Sequence, residues 1–95
     1  MKKNMIIVGA GLAGLSAALQ AVKEGCSVKL ISSLPSERAQ SVMAEGGINA
    51  ALNTKGEDDS TQEHYEDTIK AGCNLADPNA VWNMTQAAPE VVKWL

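Results

Sequence analysis

The chain has 95 residues, enough for one small domain, and 45% of them are hydrophobic while 3% are aromatic. A formal net charge of −3 and scattered basic residues argue against a nucleic-acid partner. One histidine and two cysteines without metal-ligand spacing disfavour a metal site, and Cys26 and Cys73 are expected to be buried, reduced thiols.

The first predicted element is a buried strand over residues 4–8, which are apolar without alternation. It leads into glycines spaced G-x-G-x-x-G, followed by apolar residues at helical spacing over 12–24. This pattern is typical of a strand, a tight turn and a helix whose N-terminus binds the pyrophosphate of a dinucleotide. Gly9 permits the turn, Gly11 lets the backbone approach phosphate, and Gly14 lets the helix pack closely on the strand.

The same stretch has an alternative interpretation as a secretory signal peptide, because two lysines precede an apolar run. The glycines at nucleotide-loop spacing and the charged end of the predicted helix, Lys23-Glu24-Gly25, favour the nucleotide loop. We therefore expect a cytoplasmic protein. Beyond this stretch, the sequence has no run long and apolar enough to span a bilayer.

Gly25 is placed to end the helix, and residues 27–31 are predicted to form a second, parallel strand that completes a β-α-β unit. The fold class indicated is α/β. Many nucleotide-binding domains have Asp or Glu at the end of this strand to bind the ribose, whereas this chain has Ser32 and Ser33. A serine hydroxyl forms weaker hydrogen bonds to ribose than a carboxylate does.

Residues 34–58 contain no long periodic segment, and Gly46-Gly47 within them is either a surface turn or a second place of close backbone approach to a ligand. Ser60 and Glu63 have capping-box spacing and predict a helix to about Ala71, ended by Gly72.

His64 lies in this helix beside acidic residues, so we expect a solvated helix face there, without a metal or a catalytic base. Asp77-Pro78 predicts a further helix over 78–86, and Pro89 is expected to open another. Trp82 and Trp94 are expected in a core or at a domain contact. Only two strands are recognisable, which predicts that the sequence is the opening of a longer protein.

Several blocks occur in a characteristic order: VGAGLAGL at 8–15, LISS at 30–33, SVMAEGGINAA at 41–51, EHYEDTIKAG at 63–72 and DPNAV at 77–81. Together they resemble the N-terminal part of the flavoprotein subunit of the fumarate reductase/succinate dehydrogenase family, to which L-aspartate oxidase is closely related. The resemblance implies an incomplete Rossmann-like FAD-binding domain, with residues 1–95 as its N-terminal portion. Members commonly have serine at the end of the second strand, as this chain does.

The resemblance also implies which residues contact FAD. They belong to the glycine loop, the end of the second strand, and the segment 39–47 that runs past the flavin in the family. The residues assigned in this way are Gly9, Ala10, Gly11, Leu12, Ala13, Gly14, Ser32, Ser33, Leu34, Ala39, Gln40, Ser41, Val42, Met43, Ala44, Glu45, Gly46 and Gly47.

Many respiratory members carry a histidine that forms a covalent bond to FAD, and Gln40 occupies the matching position here. An amide cannot form that bond, so we expect non-covalent FAD. In the family a covalent link usually raises the flavin potential. Its absence therefore favours reduction of fumarate or a related enoate over oxidation of succinate, and it equally fits L-aspartate oxidase.

The parent protein implied by the resemblance is an FAD-dependent oxidoreductase that transfers hydride between flavin and a dicarboxylate. Its expected partner is an electron-transfer subunit or domain. Membrane association through a partner subunit is the alternative to a purely cytoplasmic location. The family's catalytic residues match no position here, so the chain alone is expected to be inactive and to self-associate through its incomplete sheet. The alternatives are a nucleotide-binding module without catalysis and a structural fragment with an empty loop.

Overall fold

The computed structural model describes residues 2–95, which fall into two compact units, one ending at Gly46 and the other spanning Gly47–Leu95. The first contains β1 (Asn4–Val8), α1 (Leu12–Lys23), β2 (Ser27–Ile31), a 3₁₀ turn (Ser36–Arg38) and the one-turn helix α2 (Gln40–Met43). The second contains α3 (Thr61–Ala71) and α4 (Pro78–Trp94).

Strands β1 and β2 are parallel and in register from Asn4 opposite Ser27 to Val8 opposite Ile31. Helix α1 connects them and packs on both, which confirms the predicted β-α-β unit. The prediction that β1 is buried is wrong, because Ile6 is 67% and Val8 82% exposed. The strand packs mainly against β2 and α1, so much of its apolar surface has no cover within the described residues.

The C-terminus of α1 is closed by Gly25, as its position in the sequence predicts. Gly25 has a φ of 84°, and its N–H donates to the carbonyl of Val22 at 3.0 Å. The next N–H, of Cys26, donates to the carbonyl of Ala21 at 2.9 Å. These paired bonds satisfy two of the carbonyls that a helix end leaves without partners.

Helix α3 begins where the capping box predicts, with the Ser60 hydroxyl accepting the Glu63 N–H at 3.1 Å. At its other end Gly72 is the C-cap, but the left-handed residues are Cys73, with a φ of 54°, and Asn74, with a φ of 58°. Cys73 is exposed and Cys26 is half-buried, so the expectation of two buried thiols is wrong. Both cysteines are free, as predicted.

Helix α4 starts at the predicted cap, where the Asp77 carboxylate accepts the Asn79 N–H at 2.9 Å. The predicted break at Pro89 is wrong, because α4 is one helix of 17 residues with that proline inside it. A proline removes one helical hydrogen bond, here to the carbonyl of Thr85. Packing of α4 against α3 favours the continuous helix in spite of that loss.

The core of the second unit lies between α3 and α4. Val81 is 8% and Thr85 0% exposed, and the Thr85 hydroxyl donates to the carbonyl of Trp82 at 3.1 Å. The rings of Tyr65 and Trp82 meet edge to face, with their centroids 5.2 Å apart. Trp82 therefore packs between the helices while remaining 42% exposed. In the part of the chain that the structure describes, no helix combines the length and apolar character needed to cross a bilayer.

Candidate functional site

The glycine loop leaves the sheet directly beside the end of β2. Gly9 has a φ of 119°, a conformation that L side chains rarely adopt, and its N–H donates to the carbonyl of Ile31 at 2.8 Å. This hydrogen bond joins the carboxyl ends of β1 and β2 at the point where α1 begins. This is the edge at which parallel α/β sheets bind their ligands.

Gly14 is the point of closest approach between α1 and the loop. A Cβ at this position would overlap the carbonyl oxygen of Gly9 and lie 2.9 Å from its carbonyl carbon. The same Cβ would be 3.5 Å from Cγ2 of Ile7 in β1. The predicted role of this glycine in close helix–strand packing is confirmed.

The N-terminus of α1 is capped from a distant part of the chain. Gly11 is the N-cap residue and has no side chain to accept a hydrogen bond. Instead the Leu12 N–H donates to Oγ of Ser41, 29 residues further on, at 2.7 Å. A Cβ on Gly11 would lie 3.0 Å from that hydroxyl oxygen, so Ser41 occupies space left open by the glycine. No local sequence signal predicts this contact.

The other N–H groups at this helix end are available to a ligand. Among the described residues, the N–H groups of Gly11, Ala13 and Gly14 have no hydrogen-bond partner. The first turn of α1 also contains no acidic side chain that would compete for them. Unpartnered N–H groups at the positive end of a helix bind phosphate groups. The loop therefore fits the pyrophosphate of a dinucleotide such as FAD.

The end of β2 supplies hydroxyl groups beside the loop. Ser32 and Ser33 directly follow Ile31, whose carbonyl accepts the Gly9 N–H. Both serines and Leu34 are exposed, and Oγ of Ser32 accepts the Leu34 N–H at 3.4 Å. These hydroxyls lie where many dinucleotide-binding domains place a carboxylate for the ribose.

The segment 39–47 is divided between the two units, with residues 39–46 in the first and Gly47 in the second. Gln40 and Ser41 open α2, and both are exposed. Gly47 has a φ of 81°, which explains a glycine there, whereas a Cβ on Gly46 would meet nothing within 4 Å.

The predicted solvated face of α3 is only partly observed. Glu63, Glu66 and Asp67 are exposed, as expected, but His64 is half-buried. The Nδ1 atom of His64 is buried and has no hydrogen-bond partner among the described residues. Sequence reasoning missed this, because the acidic neighbours of His64 suggested a wholly solvated position.

Two open clefts flank His64 within the second unit. One of about 490 Å³ lies beside Asn49, Glu63 and Asp67. The other, of about 520 Å³, is more apolar and is bordered by Ile48, Met84 and other residues of α4. Within residues 2–95, no group of His, Cys, Asp and Glu side chains is arranged to hold a metal ion.

Comparisons with known proteins agree with the chemistry of the loop. Residues 4–95 match the family described as FAD binding domain. The chain is 48% identical to the succinate dehydrogenase flavoprotein subunit of Bacillus subtilis over 99% of its length and 16% of that protein's. It is 44% identical to L-aspartate oxidase of Caulobacter vibrioides, over 93% of this chain and 17% of that protein.

A third relative, NADH:fumarate oxidoreductase of Klebsiella pneumoniae, is 35% identical over 97% of this chain and 10% of its own length. The chain thus spans at most 17% of the length of these relatives. No solved structure matches it.

Proposed function

Because the chain belongs to the FAD binding domain family, we propose that it forms the dinucleotide-binding part of a fumarate-reductase-like flavoprotein oxidoreductase. The observation that carries the proposal is the N-terminus of α1, where Gly11, Ala13 and Gly14 offer unpartnered N–H groups beside the carboxyl ends of two parallel strands. A Rossmann-like sheet extended beyond β1 and β2 would complete the domain.

In the proposed site, these three N–H groups bind the pyrophosphate of FAD. The hydroxyls of Ser32 and Ser33 bind the adenosine ribose, with Leu34 beside it. Residues 39–47 contact the flavin side of the cofactor through their backbone and small side chains. The remaining loop residues, Ala10 and Leu12, contribute through their backbone, and Ala10 is buried, with 4% of its surface exposed.

FAD supplies the redox chemistry of the proposed reaction, which is hydride transfer between flavin and a dicarboxylate such as fumarate or succinate. The residues of this chain bind and orient the cofactor. Gln40 supports a non-covalent cofactor, since its amide does not form the histidyl bond known from respiratory members. Non-covalent FAD favours reduction of fumarate or a related enoate in the complete protein.

L-aspartate oxidase activity is the second candidate. It is favoured by Gln40, together with the 44% identity to the Caulobacter enzyme. In either case we propose that an electron-transfer subunit or domain is the partner of the complete protein. The name of the Bacillus relative, a flavoprotein subunit, supports a partner subunit.

The proposal is tested by titrating the purified 95-residue chain with FAD and with ADP, followed by gel filtration and acid precipitation. We expect saturable binding of both ligands and a visible flavin absorption band that elutes with the protein. After acid precipitation the flavin should remain in the supernatant, since no covalent bond retains it. A chain that binds neither ligand would overturn the proposal, and flavin in the pellet would overturn its non-covalent part.

A further inference from the structure

The contact between Ser41 and α1 has a consequence for how the cofactor site is assembled. Ser41 lies in the segment 39–47, whereas Leu12 belongs to the glycine loop, and a 2.7 Å hydrogen bond joins them. The two residues are 29 positions apart in the sequence, compared with 25 for the bond between Thr61 and Gln86. The two parts of the proposed cofactor site are therefore already connected in the protein without ligand.

We infer that Ser41 is a positioning residue whose hydroxyl caps α1 and holds the flavin-side segment, residues 39–46, against the glycine loop before FAD binds. The inference rests on the proposed function for its effect on FAD, whereas the docking of residues 39–46 on the glycine loop concerns this chain alone. A hydroxyl that accepts an N–H at a helix start stabilises that helix. Here the accepting group also connects α1 to α2, whose main packing partner is otherwise the preceding 3₁₀ turn.

The second glycine of the loop supports this inference independently. A Cβ on Gly11 would have Oγ of Ser41 as its nearest neighbour, at 3.0 Å, and then Cβ of Ala39 at 3.9 Å. The φ of Gly11 is −84°, which any residue adopts, so its backbone does not require glycine. The open space at Gly11 is thus shaped for the Ser41 hydroxyl as well as for a phosphate.

The inference predicts different effects of Ser41 on the binding of FAD and on the binding of ADP, which lacks the flavin. Without the Ser41 hydroxyl, the flavin-side segment has to be ordered when FAD binds, and fixing backbone residues opposes binding. ADP lacks the flavin that the rest of this segment would contact, and the Leu12 N–H released by the substitution becomes available to its phosphates. Ser41→Ala should therefore weaken FAD binding about fivefold while ADP binding changes less than about twofold. General destabilisation of the site would weaken both ligands alike.

The test uses the 95-residue chain and its variants Ser41→Ala, Ser41→Thr and Ser36→Ala. Ser36 is the control because it lies in the preceding 3₁₀ turn and its side chain makes no hydrogen bond in the described residues. In the chain without ligand, amide-proton exchange measured by NMR should be about fivefold faster for Leu12 in Ser41→Ala. Ser41→Thr retains the hydroxyl and should keep the slow rate, as should Ser36→Ala.

Gly11→Ala provides a second, independent variant. It should shift the amide resonances of residues 39–46 while leaving the hydroxyl in place. When Gly11→Ala is added to Ser41→Ala, these resonances should shift little beyond their positions in Ser41→Ala alone, because the oxygen that the new Cβ would crowd is then gone. Additive shifts would contradict the inference.

Unchanged Leu12 exchange in Ser41→Ala, or an equal loss of FAD and ADP affinity, would overturn the positioning role. A wild-type chain that binds no FAD would contradict the proposed function, whereas the docking is decided by Leu12 exchange in the protein without ligand. The two failures are therefore distinguishable.

Discussion

The two units of the chain position their functional groups by different means. In the first, backbone conformation is decisive: Gly9 and Gly14 let α1 approach β1, and the buried residues among those described are the small Ala10 and Ala21. In the second, side chains hold two helices together through Val81, Thr85 and the Tyr65–Trp82 ring pair. The first unit should therefore be most sensitive to an added methyl group, and the second to a removed side chain.

The largest effect is expected for Gly14→Ala. The new Cβ would overlap the Gly9 carbonyl, so α1 has to move away from β1. We expect a loss of about 3 kcal/mol in the free energy of unfolding, at the upper end for overpacking, together with loss of ADP binding. Chemical denaturation followed by circular dichroism measures the first, and calorimetry the second.

Gly46→Ala is the matched control for stability, since a Cβ there meets nothing within 4 Å. Its free energy of unfolding should stay within about 0.5 kcal/mol of the wild-type value. If Gly14→Ala is no less stable than this control, the first unit does not depend on close backbone approach.

Removing a ring from the second unit should have the next largest effect. Trp82→Ala deletes the edge-to-face contact with Tyr65 and opens the space between α3 and α4. Because Trp82 is 42% exposed, we expect a loss of about 2 kcal/mol, below the range for fully buried tryptophans. Thermal unfolding monitored by Tyr65 fluorescence, together with ADP affinity, should show destabilisation with the phosphate site retained.

Leu75→Ala serves as the control for lost apolar surface, since Leu75 is 90% exposed and should change stability by less than about 0.5 kcal/mol. Equal losses for Trp82→Ala and Leu75→Ala would contradict a side-chain core in the second unit.

A smaller effect is expected at Gly25, which closes α1 with a φ of 84° and has open space around its Cα. Gly25→Ala forces a residue with a Cβ into the left-handed region, which costs about 1.5 kcal/mol. Gly25→Asn should recover part of this loss, because asparagine tolerates that conformation better. Denaturant midpoints of both variants measure the difference; an alanine variant as stable as wild type would show that this turn is not conformationally restricted.

The smallest effect is expected for Ser60→Ala, which removes the hydroxyl that accepts the Glu63 N–H. Loss of such a cap costs about 1 kcal/mol. Ser60→Asp should retain most of the stability, since its carboxylate accepts the same N–H. Urea midpoints that are identical for the alanine and aspartate variants would show that the cap contributes nothing to α3.

The elements that could be predicted from the sequence are those set by neighbouring residues. The ends of α1 follow from its flanking glycines, and the start of α3 follows from Ser60 and its spacing to Glu63. The continuity of α4 through Pro89 could not be predicted, because it depends on packing against α3. The exposure of β1 likewise depends on what packs against it, and apolar composition alone does not reveal that.

The candidate site likewise has a part that local sequence predicts and a part that depends on distant contacts. The glycine loop is recognisable because each glycine occupies a fixed offset from the strand end. The cap on Leu12 comes from Ser41, 29 residues away, and no period or spacing in the sequence connects the two. The half-buried His64 was missed because solvated acidic residues surround it in the sequence, while the burial of its ring depends on the packing of the second unit.

The most direct test of the account is an NMR titration of the 95-residue chain with FAD, following the backbone amides of both units. We predict saturable shifts at Gly11, Ala13 and Gly14, whose N–H groups have no partner among the described residues. The amides of α4 should remain in place at the same FAD concentration. Unshifted glycine-loop amides with excess FAD present, or shifts confined to α4, would contradict the assignment of the loop as the pyrophosphate site.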